Sequence, residues 1–204
     1  MGEIHMLSTQ STHSTLAQHV VGEKYDLLAK AMLVIGGSLA LWVSAKIHIP
    51  FYPVPMTMQT FAVLVIGMAF GWRLGGATVL LYLAEGASGL PVFSGAPERG
   101  IGLAYMAGPT GGYLAGFLIS AVVVGWLAER GWDRNLLTTS VAMLIGTVII
   151  FLPGVFWLGT LIGWDEPVVA LGVTQFIYAE ILKIALAAAV LPLAWKALGR
   201  ATGT

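Results

Sequence analysis

Charge is confined to the margins of long apolar stretches in this chain, and that distribution constrains the fold more than any motif does. Of 204 residues, 57% are hydrophobic and only 10% are charged, where a soluble domain carries about a quarter. So few charges cannot cover a surface in water, and the solvent that fits is lipid. A helix crossing a bilayer needs about 20 apolar residues, fewer in short or tilted cases. Six stretches qualify: 27–45, 56–72, 74–90, 108–128, 137–159 and 168–195. The second and third are short and joined only by Arg73, which reads as one tight hairpin. The expected fold class is an all-α integral membrane protein with six transmembrane helices, forming a single membrane domain over residues 23–204.

Lysine and arginine collect at one end of these spans. Six crossings place both termini on one side, which then holds Lys24, Lys30, Arg73, Arg130, Arg134, Lys196 and Arg200, against Lys46 and Arg99 on the other. Cationic short loops stay in the cytoplasm. Both termini are therefore expected to be cytoplasmic, and the protein to be multi-pass in the cytoplasmic membrane. Residues 1–22 are polar and lack a basic start followed by an apolar run. They read as a disordered cytoplasmic tail rather than a signal peptide. The irregular spacing of His5, His13 and His19 argues against a metal site, and no cofactor is expected.

Small residues recur every fourth position: Gly36, Ala40 and Ser44 in the first span, Gly67, Gly71 and Gly75 around the hairpin, and Gly108, Gly112, Gly116 and Ser120 in the fourth. Such stripes let helix backbones approach closely where lipid supplies no hydrophobic push. In the fourth span the stripe reads as packing within the monomer. In the first span it either packs internally or faces another subunit.

Three ionisable residues fall inside apolar spans: Glu85, Glu180 and Lys183. A charge at mid-bilayer costs at least a few kcal/mol and marks function by default. Counting from an entry near residue 170 at 1.5 Å per residue, Glu180 and Lys183 lie about 15 and 20 Å deep. Their spacing puts them on one helix face. A purely structural ion pair explains two such costly groups poorly, because apolar residues would usually serve as well. One acceptor and one donor a turn apart suit a neutral cyclic urea or amide. Glu85, near the outer end of its span, reads equally as site or structure.

Two loops at the outer end complete a candidate pocket. After the first span, Pro50, Pro53 and Pro55 forbid regular helix. Phe51 and Tyr52 add aromatic faces, and Thr57 and Gln59 lead into the second span as neutral polar groups. After the third span, the long Gly-rich stretch through residue 113 reads as a lid. Arg99 is its only cation, placed either to meet a carboxylate or simply to be solvated.

Absences narrow the function. A net charge of zero gives no field for nucleic acid, and with no Cys there is no thiolate or disulfide. No G-x-x-x-x-G-K-S/T phosphate loop is present, so the chain does not itself hydrolyse ATP. Neither H-E-x-x-H nor G-x-S-x-G occurs, which leaves an intramembrane enzyme without its groups.

The segment Pro53-Val54-Pro55-Met56-Thr57-Met58-Gln59 resembles the P-x-P-x-T-x-Q signature of the BioY family, the biotin-binding subunits of energy-coupling-factor vitamin transporters. Gly89-Leu90-Pro91-Val92-Phe93, the run from Gly108 to Phe117, and Glu180-Ile181-Leu182-Lys183 match that family's pattern in the same order. Glu180 stands where the family usually has Asp. The stretch Ala96–Arg99 departs from an expected run of Gly.

The resemblance implies a six-helix subunit that captures biotin, a transmembrane coupling subunit docked on Gly36, Ala40 and Ser44, and two cytoplasmic ATPase subunits. It implies Glu180 accepting from the ureido N–H groups and Lys183 donating to the ring C=O, helped by Gln59 and Thr57. Tyr82 or Tyr178 would add a hydroxyl. Phe51, Phe93 and Tyr113 would pack on the apolar parts, and Arg99 or lid N–H groups would meet the carboxylate. A capture subunit for thiamin or riboflavin is the alternative, although Lys183 disfavours a cationic ligand.

Overall fold

The computed structural model describes residues 14–21 and 26–201. The readings placed on His5, His13 and Lys24 lie outside these residues.

Helix α1 spans Leu16–Val21, inside the stretch expected to be a disordered tail. Its start is a capping box: Gln18 Oε1 accepts from the Thr15 N–H at 2.8 Å, and Thr15 Oγ1 accepts from the Gln18 N–H at 3.3 Å. Leu16 and Ala17 are buried. The His19 ring meets Trp195 edge-on at 5.5 Å, and Arg134 donates to the Ser14 carbonyl at 3.2 Å. This part of the amino-terminal segment is a docked helix.

Helix α2, Leu27–Lys46, matches the expected first span to one residue and is capped by the Asp26 carboxylate, which accepts from the Ala29 N–H at 2.9 Å. Two short strands follow, β1 His48–Ile49 and β2 Met56–Thr57, antiparallel, with His48 opposite Thr57. The second span therefore starts at Gln59 rather than 56. The prolines exclude helix, and Met56–Thr57 pairs back on β1.

Helix α3 runs Gln59–Ala87 but is broken at Gly71, whose φ of 78° and ψ of 173° belong to no α-helix. Gln59 Nε2 lies 2.7 Å from the Tyr82 hydroxyl. Along a straight helix those residues would be about 35 Å apart, so α3 is two antiparallel arms, 59–70 and 72–87. The arms touch through backbone: a Cβ at Gly75 would lie 2.9 Å from the Gly67 Cα. Helix α4, Gly102–Met106, is a single turn within the long loop after α3.

Helix α5, Gly111–Ala128, packs its small residues on α6, Leu136–Ile162. A Cβ at Gly116 would fall 2.7 Å from the Ile150 carbonyl, and Ser120 donates to the Gly146 carbonyl at 3.0 Å. The last span is not one helix. It consists of α7, Val168–Gly172, a 3-10 turn at Thr174–Phe176, and α8, Ile177–Ala201. The depth counted along a straight helix from residue 170 is corrected accordingly: Glu180 stands in the first turn of α8. With α3 taken as two arms, α2, α5, α6 and α8 bring the helical passes to six.

The stripe on α2 does not keep to one face. Gly36 and Ala40 are exposed, and a Cβ on Gly36 would touch nothing. Ser44 is buried, and its hydroxyl donates to the Leu41 carbonyl at 2.7 Å. A step of four residues advances the helix by about 40°, which over two steps turns Ser44 away from the open face.

Candidate functional site

A cavity opens at the end of the bundle carrying the two long loops. It is walled by the start of α3, the loop around Phe93, the first turns of α5, Phe151 of α6 and the first turns of α8. Of the residues singled out in the sequence, Thr57, Gln59, Phe93, Tyr113, Glu180 and Lys183 line it. Thr60, Ser94, Tyr105, Thr110, Phe117, Phe151 and Phe176 join them, along with Val54, Pro55 and Leu114.

Its polar floor is a closed cluster. Lys183 Nζ lies 2.6 Å from Glu180 Oε1, 2.9 Å from Thr60 Oγ1 and 2.6 Å from the Thr57 carbonyl. Thr60 Oγ1 in turn donates to Glu180 Oε1 at 2.9 Å. An ammonium has three hydrogens, so Lys183 is fully engaged. The second carboxylate oxygen, Glu180 Oε2, is buried and has no partner among the described residues. Leaving a buried charged oxygen unsatisfied is expensive, and a ligand N–H would remove that penalty. Helix α8 sets this arrangement by placing residues 180 and 183 a turn apart. The strand pairing of Met56–Thr57 sets it from the other side by turning the Thr57 carbonyl toward α8.

Gln59 is held from behind. Its Nε2 donates to the Tyr82 hydroxyl at 2.7 Å, which donates to the Val92 carbonyl at 3.1 Å. Tyr82 therefore orients Gln59 rather than lining the cavity. The apolar walls are aromatic: Phe93 stacks on Tyr105 at 4.9 Å, and Phe151 meets Tyr113 and Phe176 edge-on at 5.7 and 5.9 Å. Tyr113 is locked by its hydroxyl, which donates to the Gly172 carbonyl at 2.8 Å. Burial pushes the Tyr105 hydroxyl to a higher pKa than usual, so it stays a donor, and it bonds the Ser94 carbonyl at 2.5 Å.

Several expected site residues lie elsewhere. Tyr178 is 86% exposed on the outer surface of α8. Glu85 accepts from the Ser38 hydroxyl at 2.9 Å and ties α3 to α2. Arg99 donates to the Pro53 carbonyl at 3.3 Å and the Phe51 carbonyl at 3.1 Å, clamping one loop to the other. Phe51 packs edge-on against Phe176 at 6.4 Å, behind the wall. Lys46, not singled out in the sequence as a site residue, anchors the lid by donating to the Phe93 and Ala96 carbonyls at 3.0 and 3.2 Å.

Comparison with known proteins places this architecture. A protein of Pyrococcus horikoshii named "Probable biotin transporter BioY" is 38% identical over 71% of this chain and 83% of its own length. The "Biotin transporter BioY" of Rhizobium etli is 37% identical over 74% of this chain and 82% of its own. Among solved structures, the S-component for biotin from an ECF-type ABC transporter superposes with a TM-score of 0.69, covering 85% of this chain and 95% of that one. At 22% identity that likeness speaks to the fold. The BioY family model matches residues 11–200, and this chain therefore belongs to the BioY family.

Proposed function

We propose that this chain captures biotin at the outer face of the cytoplasmic membrane, as the substrate-binding subunit of an energy-coupling-factor transporter. The observation that carries the reading is Glu180 Oε2, a buried carboxylate oxygen with no partner among the described residues, at the polar end of an aromatic cavity in a BioY chain. The ureido ring offers N–H donors to that oxygen. Phe93, Phe117, Phe151 and Phe176 bury the apolar ring and chain. All three ammonium hydrogens of Lys183 are engaged. A ring carbonyl must therefore displace one of those bonds, and Lys183 otherwise holds the carboxylate in place.

The partners are a transmembrane coupling subunit, docked over the open face of α2 at Gly36 and Ala40, and cytoplasmic ATPases. The charge bias of the loops supports this orientation. Titration calorimetry of the purified chain with biotin, thiamin and riboflavin tests the substrate: tight binding of biotin alone is expected, and preference for either other vitamin overturns the reading. Mass spectrometry of small molecules extracted from the protein provides an independent check.

A further inference from the structure

Glu180 Oε2 is not the only bare polar atom on the cavity wall. Ser94 is 2% exposed, lines the cavity, and its Oγ has no hydrogen-bond partner among the described residues. The loop carbonyls beside it are satisfied. Its own carbonyl accepts from Tyr105, and the carbonyls of Phe93 and Ala96 accept from Lys46. A buried hydroxyl left unpaired costs stability, and one that faces a ligand cavity is explained by the ligand.

The two cations that could meet a carboxylate at this end of the molecule each bind loop carbonyls and stand outside the cavity lining. Arg99 holds the Pro53 and Phe51 carbonyls, and Lys46 holds the lid. Neither lines the cavity, where Lys183 is the only cation among the described residues. Lys183 belongs to the cluster with Glu180, Thr60 and Thr57, and no bond of that cluster reaches Ser94. The cavity thus offers a charged polar end on α8 and a neutral hydroxyl on the loop that roofs it.

Building on the biotin reading above, we propose that Ser94 Oγ is the lid-side hydrogen-bond donor to the carboxylate of the bound substrate. The bond closes the roof over the ligand tail, and Ser94 reads that tail by a single directed O–H rather than by a counter-ion. Specificity for the free acid is then modest and depends on Ser94.

The test is calorimetry of wild type and Ser94→Ala with biotin and with biotinamide, whose tail is neutral and of similar size. Thermal unfolding without ligand accompanies it. A hydroxyl donating to an ionised acceptor is worth more than one donating to a neutral acceptor. Ser94→Ala is therefore expected to weaken biotin about tenfold and biotinamide no more than about threefold, while unliganded thermal stability is unchanged or raised. Equal losses for both ligands, no loss for biotin, or a lowered unliganded melting temperature each overturns the assignment. If the wild type fails to bind biotin, the proposed function falls with it; if it binds biotin but the variant behaves identically, only the Ser94 assignment falls.

Discussion

Thr60 and Glu180 stand 120 residues apart in the chain and are joined by a 2.9 Å hydrogen bond from hydroxyl to carboxylate. The same hydroxyl accepts from Lys183 at 2.9 Å, so one small side chain at the start of α3 holds both charged groups of α8. Thr60→Val keeps the shape and removes both bonds. A drop in stability of about 1–3 kcal/mol is expected, with biotin affinity reduced about three- to tenfold. Chemical denaturation and calorimetry check the two effects separately.

Glu180→Ala and Lys183→Ala each leave the other charge buried without its partner at 2.6 Å. Losing one member of a buried pair costs more than the pair itself contributes. Each variant is expected to weaken biotin at least tenfold. Unchanged affinity in either would remove that residue from the site.

Tyr82→Phe deletes the hydroxyl between Gln59 and the Val92 carbonyl without touching the cavity. Gln59 then has a free buried donor and a free rotamer. Biotin affinity is expected to fall about three- to fivefold, and stability by about 1–2 kcal/mol. A Gln59→Ala background abolishes the affinity effect of Tyr82→Phe if the two act as one unit.

Arg99→Met releases the two carbonyls that bind one loop to the other. Because Arg99 does not line the cavity, the variant is expected to speed biotin dissociation about tenfold, an effect carried mostly by the off-rate. The preference for acid over amide should persist. A stopped-flow chase with unlabelled biotin measures the first, and loss of the acid preference would return Arg99 to the substrate.

Much of the membrane architecture is legible in the residues. The first span ends within one residue of α2, and the fourth ends where α5 does. Apolar length suffices there because nothing interrupts the helix. The last span was unreadable as α7, a turn and α8, because Val168–Phe176 contains neither proline nor a pair of glycines to mark the break. Thr15 and Gln18 did carry the signature of a helix start, obscured by their polar surroundings.

Within the site, Glu180 and Lys183 stand out because charge is rare in apolar spans, whereas Thr60 is an ordinary residue given its place by partners 120 and 123 residues away, and Ser94 is an ordinary residue marked only by where the loop buries it. Tyr178 was readable as an outsider: two residues from Glu180 is about 200° around a helix. Glu85 could be settled only by the neighbouring helix, which supplies Ser38.

The broken helix at Gly71 has a consequence for the surrounding bilayer. Its arms, 59–70 and 72–87, rise only about 18 and 24 Å at 1.5 Å per residue, against a hydrocarbon layer of about 30 Å. With Gly71 at the opposite interface, Gln59 at the end of the shorter arm would fall below the headgroups, a mismatch that local thinning of the lipid beside the hairpin relieves. Reconstituted into acyl chains of increasing length, the protein should hold its ligand site open to water progressively less well.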